Sequence, residues 1–276
     1  MKQAHIVYCS PAGSTAHVAR VIADTLREKS ITVHLLDLGS KEDRSGFMGR
    51  LAKAGADDCL FVGAPVYRDV AAPPVSAFLA ELPAAAQCMA VPFVTWGGAT
   101  SGIALWQMGG MLEQRGYRLV GAAKVVAVHC MMWKSDAPVG QGHPDAADDQ
   151  QVRRFVDVLA AASPASLPLS ALDYQPEKDA AEFKQKIGAP WMIVPKTIDE
   201  EACTQCGTCE AVCPVGAVTL DPGPVFDQTC FDCFSCIREC PEEAITPAAP
   251  LEKIATNIRE RAAKFNERPL TQVFVG

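Results

Sequence analysis

The chain has 276 residues, of which 49% are hydrophobic, and a formal net charge of −7. This length predicts about two domains with a sizeable buried core. An acidic chain argues against nucleic acid as a partner, because nucleic-acid binding needs a basic patch. No secretory signal is evident, so we expect reduced cysteines and a cytoplasmic location.

The first element is an apolar strand at His5–Cys9, followed by a helix with Val18, Ile22 and Leu26 at four-residue spacing. The loop between them consists of Ser10, Pro11, Ala12, Gly13, Ser14 and Thr15. Free backbone N–H groups, the helix dipole and hydroxyl donors would make this loop an anion site. The absence of Lys and Arg from the loop favours a phosphate monoester over a nucleotide-hydrolysing site. An ordinary strand-to-helix connection is the alternative.

Further strands and helices alternate along the first half of the chain. The strands are predicted at Ile31–Leu38, Cys59–Val66, Met89–Thr95 and Lys124–His129, and the helices at Asp43–Lys53, Pro74–Glu81, Ser101–Arg115 and Gln150–Ala162. Five such units predict a doubly wound, five-stranded parallel sheet of the α/β class. Because ligands bind beyond the carboxyl ends of such strands, we expect the loops Ser10–Thr15, Ala64–Arg68 and Trp96–Gly102 to converge.

The aromatic and reactive side chains near these loops could either contact a ligand or pack in the protein interior. Tyr67 and Trp96 follow strands and lie near glycines, where a ring would face a ligand; packing is the alternative. For Trp106 and Trp133 packing is the favoured reading. His129 and Cys130 are neighbours on a strand and point to opposite faces, so no catalytic pair is expected.

Residues 82–112 contain no charged side chain, a length that would cross a bilayer. Pro83, Pro92 and several glycines interrupt this stretch, so we expect no membrane span. A proline-punctuated linker then extends from Ser163 to Pro176 and is followed by a charged stretch to Lys186.

Residues 203–241 contain the run C-x2-C-x2-C-x3-C-P twice. The cysteines are Cys203, Cys206, Cys209 and Cys213 in the first run, and Cys230, Cys233, Cys236 and Cys240 in the second. This is the ligand pattern of bacterial two-cluster ferredoxins, whose fourth cysteine binds the other cluster. Paired C-x2-C units also form tetrahedral zinc sites, and two complete runs ending in Cys-Pro favour iron-sulfur clusters over zinc.

The S-P-A-G-S-T loop, the V-G-A-P-V-Y segment (Val62–Tyr67) and the F-V-T-W-G-G segment (Phe93–Gly98) resemble the flavodoxin-like FMN domain. The whole chain is similar to fused proteins with an N-terminal flavodoxin-like domain and a C-terminal two-cluster ferredoxin. The resemblance implies that FMN contacts Ser10, Pro11, Ala12, Gly13, Ser14, Thr15, Pro65, Val66, Tyr67, Thr95, Trp96, Gly97, Gly98 and Gly102. Many flavodoxins have Thr-x-Thr-Gly where this chain has Ser10–Gly13, so we expect either a weaker hold on the phosphate or a larger contribution from Ser14 and Thr15.

The resemblance also implies two [4Fe-4S] clusters with crossed ligands. One cluster would be held by Cys203, Cys206, Cys209 and Cys240, and the other by Cys230, Cys233, Cys236 and Cys213. The predicted domains are residues 1–165 for the FMN domain, 166–195 for a linker, 196–249 for a small α+β two-cluster ferredoxin, and 250–276 for a C-terminal helix and tail. That helix, with Leu251, Ile254, Ile258 and Phe265 at helical spacing, is expected to clamp one domain to the other.

The negative charge is concentrated in the second half. Between Asp199 and Glu243 there are ten acidic residues, and Arg238 is the only basic one. Such a field favours a redox partner protein with a basic docking face.

From FMN combined with two clusters we expect an electron-transfer protein that converts between two-electron and one-electron partners, with a homodimer possible. A flavin-dependent reductase of a small molecule and a wiring subunit of a larger redox complex are the alternatives.

Overall fold

The computed structural model describes residues 1–40, 43–85, 87–161, 164–172 and 180–276. The strands are β1 (Gln3–Tyr8), β2 (Thr32–Asp37), β3 (Cys59–Tyr67), β4 (Val70–Ala71), β5 (Met89–Trp96), β6 (Arg118–Leu119), β7 (Gly121–Val126), β8 (Lys196–Ile198), β9 (Val218–Leu220), β10 (Pro224–Phe226), β11 (Ile245–Pro247) and β12 (Gln272–Val275). The helices are α1 (Ser14–Glu28), α2 (Ser45–Leu51), α3 (Pro73–Glu81), α4 (Ala104–Gln114), α5 (Ala146–Ala161), α6 (Ala180–Lys184), α7 (Thr208–Ala211), α8 (Ser235–Arg238) and α9 (Leu251–Phe265).

The five predicted strands form the centre of one sheet in the order β2–β1–β3–β5–β7. Each neighbouring pair is parallel. This is the flavodoxin-like order of doubly wound sheets, with its switch point between β1 and β3. All residues of β5 and β7 are buried, because helices cover both faces. The predicted fold class is therefore confirmed.

Two hydrophobic cores lie on the two faces of the sheet. On one face α1 and α5 contribute Val18, Ile22 and Phe155 to a core with Phe61 and Phe93. On the other face α2, α3 and α4 pack against the same strands. Cys9, Cys59 and Cys88 are fully buried in these cores, as expected of small apolar side chains in strands.

The sheet has eight strands rather than five. The two-residue strands β4 and β6 pair with β3 and β5, and they are too short to produce a sequence period. The C-terminal strand β12 pairs antiparallel with β7 at the sheet edge. Its partner lies about 150 residues earlier in the chain, so no local pattern could have predicted the pairing.

Residues 196–247, termed the cysteine region, contain two antiparallel strand pairs, β8–β11 and β9–β10. Each cysteine run contains one short helix, α7 or α8. The repeat is visible in the backbone, since Gln205 and Gly207 in the first run and Asp232 and Phe234 in the second all have positive φ. Asp232 and Phe234 adopt this left-handed conformation although they carry a Cβ.

Helix α9 lies between the eight-stranded sheet and the cysteine region. Its Ala255 and Ile258 are buried against Met132, in the turn after β7, while Leu251 and Ile254 pack against the core of the cysteine region. The structure thus gives α9 the bridging position that the sequence predicts. Within the predicted linker, residues 173–179 lie outside the described residues, as do Ser163 at its start and Ala162, the predicted end of α5. No helix among the described residues is long and apolar enough to cross a membrane.

Candidate functional site

A cavity of about 440 Å³ opens at the carboxyl ends of β1, β3, β5 and β7, the position at which doubly wound sheets bind ligands. Nine of the fourteen predicted FMN contacts line it: Ala12, Ser14, Thr15, Pro65, Val66, Tyr67, Thr95, Trp96 and Gly97. The three predicted loops therefore converge. The structure does not bring Ser10, Pro11, Gly13, Gly98 and Gly102 to its walls.

The loop before α1 is shaped by hydrogen bonds within the chain. Gly13, at the N-cap position before α1, has a φ of 87°, a conformation that glycine adopts without a steric penalty. The Ala16 N–H donates to Ser10 Oγ over 2.9 Å, so this hydroxyl caps the first turn of α1. Ser10 and Pro11 line a second, smaller cleft beside the cysteine region.

Thr15 and Thr95 connect the loop to the centre of the sheet. Their Oγ1 atoms lie 2.7 Å apart in a hydrogen bond, and both side chains are buried. Thr15 stands in the first turn of α1, where backbone N–H groups lack partners within the helix. The pair therefore fixes the helix N-terminus against β5 at the cavity wall.

The two aromatic residues predicted to face the flavin have further contacts of their own. Tyr67 packs edge-to-face on Phe231, with ring centroids 5.3 Å apart, and its hydroxyl lies 3.4 Å from Cys130 Sγ. The indole N–H of Trp96 donates to the carbonyl oxygen of Leu270 over 2.9 Å. Trp96 therefore borders the cavity while its indole is anchored in the C-terminal segment.

The glycines after β5 are required for close packing. A Cβ on Gly97 would lie 2.5 Å from the His129 ring. Gly102 has a φ of 56°, and a Cβ there would lie 1.9 Å from the carbonyl oxygen of Asp69. Gly102 thus supports the turn between β3 and β4 rather than touching the cavity.

Residues from distant parts of the chain cover the cavity, and sequence reasoning did not find them. They are Lys186, Ile193, Val194, Phe231, Asp232, Ile258 and Arg261. Two of them meet on buried Asp69: Arg261 Nη2 lies 2.7 Å from its carboxylate, and Lys186 forms a second ion pair with it. The cavity is also lined by His129–Met131. These residues could have been found from the sequence, because they directly follow a predicted strand.

His129 and Cys130 do not form a nucleophilic pair. Burial lowers the pKa of His129 to about 4, so its imidazole is neutral at pH 7. Burial also raises the pKa of the Cys130 thiol, against the lowering effect of its contact with Tyr67. A neutral thiol is a weak nucleophile.

The eight cysteines of the repeat fall into two groups. Cys203, Cys206, Cys209 and Cys240 line one small cavity, and Cys213, Cys230, Cys233 and Cys236 line another. These sets, termed set 1 and set 2, have the membership that the crossed-ligand pattern predicts. Their role as cluster ligands stays a prediction.

The spacing of the sulfur atoms differs from that of a tetrahedral zinc site. Three thiolates on one tetrahedral zinc would lie about 3.8 Å apart, given Zn–S bonds of about 2.3 Å. Among the described residues, the only three metal-ligating side chains whose ligand atoms lie within 4.8 Å of one another are His143, Asp145 and Asp148. The sulfurs of set 1 and set 2 are therefore not arranged as a preformed tetrahedral zinc site.

Residues 196–219 match the family model of the 4Fe-4S binding domain. The match includes the whole first cysteine run, which identifies this segment as iron-sulfur binding. The chain thus combines a sheet of flavodoxin-like strand order with a 4Fe-4S binding segment. No curated protein matches the sequence.

Solved structures resemble the chain over part of its length. Rubredoxin oxygen:oxidoreductase from the anaerobe Desulfovibrio gigas aligns with 21% identity and a TM-score of 0.44 over 63% of this chain, which spans 37% of that protein. Flavodoxin 1 from Bacillus cereus aligns with 16% identity and a TM-score of 0.44, covering 56% of this chain and 95% of the flavodoxin. A flavodoxin from the domain Archaea aligns with 16% identity and a TM-score of 0.41, covering 58% and 98%.

Set 2 adjoins the large cavity, and set 1 is directed to solvent. Phe231 lines both the large cavity and the cavity of set 2, and it packs with Tyr67 and Cys233 in one apolar cluster. In set 1, Cys206 is exposed and Cys209 is buried, whereas Cys230, Cys233 and Cys236 of set 2 are all buried. Set 2 thus lies against the large cavity, and set 1 reaches the surface through Cys206.

Proposed function

We propose that this protein transfers electrons between an FMN in the large cavity and two [4Fe-4S] clusters, held by set 1 and set 2, within one chain. The observation that carries the proposal is the position of Phe231, which forms a common wall of the large cavity and of set 2. FMN exchanges one or two electrons and a cluster exchanges one, so the combination suits conversion between two-electron and one-electron partners.

The cavity residues support FMN as the ligand. A volume of about 440 Å³ lies in the range of cofactor pockets. Ser14 and Thr15 stand at the N-terminus of a 15-residue helix, where the helix dipole and N–H groups favour a phosphate. Pro65, Val66 and Gly97 supply a largely apolar wall for a flat ring. These residues would bind and orient the cofactor.

The cysteine sets support two clusters rather than one. Each set contains three cysteines from one run and the fourth cysteine of the other run, the arrangement of two-cluster ferredoxins. All twelve cysteines are free thiols in the structure. Cluster ligands must stay reduced before they bind iron, so we propose the cytoplasm as the location.

The surface around set 1 supports a protein partner with a basic docking face. Asp199, Glu200 and Glu201 precede Cys203 and are exposed, and the exposed Glu242 follows Cys240. Such a local negative field attracts a basic surface and speeds its encounter at low ionic strength. Val225, on the β9–β10 hairpin beside set 1, is 50% exposed and adds apolar area to this face.

The first experiment is the composition of protein purified without oxygen. We expect about eight irons, about eight sulfides and one FMN per chain, since two cubanes require that iron content. Zinc in place of iron, or a chain that neither contains nor takes up FMN, would refute the proposal.

The second experiment tests the common wall. Substituting Phe231→Leu should slow the reduction of bound flavin when electrons enter at the clusters, because the apolar contact between the two cavities is reduced. The control is Phe155→Leu, an equally buried substitution in the core between α5 and the sheet. Equal rates in both variants, at full iron and flavin content, would show that Phe231 does not connect the two sites.

A further inference from the structure

Lys196, at the start of β8, has a side chain that is fully buried beside the cysteines of set 2. Its Nζ donates to Cys230 Sγ over 3.2 Å and forms an ion pair with Asp232. The same nitrogen lies 5.9 and 5.8 Å from the ring centroids of Phe226 and Phe234. A buried charge is costly unless it is paired and hydrogen-bonded, and here the pairing places a cation against a predicted ligand sulfur.

The Asp232 carboxylate is itself held in place. Its Oδ2 accepts the backbone N–H groups of Ile193 and Val194 over 2.7 and 2.9 Å. Its Oδ1, which pairs with Lys196, lies 4.0 Å from Cys230 Sγ. The ammonium group is therefore nearer to the sulfur than the carboxylate is, and its N–H is directed at that sulfur.

The internal repeat gives a matching position for Lys196 at set 1, and that position holds a proline. Strand β8 precedes the first run as β10 precedes the second, and each strand starts beside the opposite set of cysteines. Lys196 begins β8 and lines set 2, whereas Pro224 begins β10 and lines set 1. By contrast, a hydroxyl lies near a sulfur in both sets, Thr208 beside Cys206 and Ser235 beside Cys233.

We propose that Lys196 is a positioning residue that raises the reduction potential of the cluster at set 2 above that of the cluster at set 1; this rests on the proposed function. Adding one electron makes a cluster more negative by one charge. A fixed N–H donor and cation at a ligand sulfur stabilise that reduced form, and hydrogen bonds to sulfur are among the established determinants of cluster potential. The cluster beside the flavin cavity would thus hold an electron more strongly than the exposed one.

The test is an anaerobic potentiometric titration followed by electron paramagnetic resonance. In Lys196→Met we expect one of two midpoints to fall, with at least a tenfold lower ratio of reduced to oxidised cluster at fixed potential, which is 59 mV for one electron. The other midpoint should stay in place. Lys253→Met, on the exposed face of α9, is the control and should shift neither midpoint.

A second variant covers the case in which Lys196→Met does not retain iron. The double variant Lys196→Met/Asp232→Asn leaves no unpaired buried carboxylate, and it still removes the N–H donor from Cys230 Sγ, so the same midpoint should fall. Unchanged midpoints in an iron-replete single or double variant would overturn this inference alone. A wild-type protein without iron would overturn the proposed function as well.

Discussion

Arg238 Nη2 donates a hydrogen bond of 2.5 Å to the carbonyl oxygen of Pro11. Ser235 Oγ donates to the same oxygen over 3.0 Å, and Arg238 Nη1 donates to the carbonyl oxygen of Cys233 over 3.2 Å. The only basic residue between Asp199 and Glu243 thus holds the loop before α1 against the loop of set 2.

This contact predicts that Arg238 couples the two cofactor sites. Arg238→Met removes hydrogen bonds from a charged donor, worth about 1.5–3 kcal/mol, and should lower the free energy of unfolding by that amount. We also expect a lower content of bound flavin, because the predicted phosphate loop loses its support. Denaturant unfolding and flavin absorbance measure the two effects. Arg20→Met, on the exposed face of α1, is the control, and identical behaviour of both variants would contradict the coupling.

The position of Gly102 leaves no space for a side chain next to the turn after β3, and we predict that a substitution there destabilises the protein. Gly102→Ala would force a left-handed conformation on alanine, which costs about 1–2 kcal/mol, and would place its Cβ 1.9 Å from the Asp69 carbonyl oxygen. We expect a lower melting temperature and loss of bound flavin. Gly49→Ala is the matched control, because nothing lies within 4 Å of its Cβ in the interior of α2; there helix propensity predicts a gain of up to about 1 kcal/mol. A melting temperature of Gly102→Ala equal to that of wild type would rule out the requirement.

Lys124 and Glu267 form a buried ion pair of 2.7 Å between β7 and the segment before β12. Burial lowers the pKa of Lys124, and Glu267 opposes that effect. Lys124→Met should destabilise the fold by about 3–5 kcal/mol, because it removes the ammonium partner of a buried carboxylate. The double variant Lys124→Met/Glu267→Gln should recover most of this loss, since the amide still accepts from the Ser101 N–H. Urea unfolding of the single and double variants checks the difference, and a cost below about 1 kcal/mol for the single variant would contradict it.

The buried imidazole of His5 predicts that the free energy of unfolding depends on pH. Burial, with a smaller effect from His34, lowers the pKa of His5 to about 4. Between pH 6.5 and 4 the unfolded chain binds a proton that the folded chain does not, so the free energy of unfolding falls as the pH falls, by up to about 1.4 kcal/mol per pH unit. Below pH 4 the effect levels off. Urea unfolding at pH 7 and pH 5 should show a smaller decrease in the free energy of unfolding for His5→Leu than for wild type. An equal decrease in both proteins would show that other groups cause the pH dependence.

Local patterns were sufficient for much of this protein. Apolar runs such as Cys59–Val66 and the four-residue spacing of Val18, Ile22 and Leu26 predict elements that the structure contains. The doubly wound order follows, because parallel strands separated by helices have few ways to pack. The membership of set 1 and set 2 was also predictable, since a repeated cysteine run carries its ligand pattern in its spacing.

The residues that join the two regions were not predictable in this way. Arg238 meets Pro11 across more than 220 positions of sequence, and Asp69 collects Lys186 and Arg261 from segments far along the chain. Sequence alone determined the five parallel strands of the sheet, the loop before α1 and the cysteine runs, because each depends on spacing within a few residues. Only the tertiary structure decided which cysteine set lies beside the cavity, what covers it and where Lys196 is directed, because these depend on contacts between segments that share no local period.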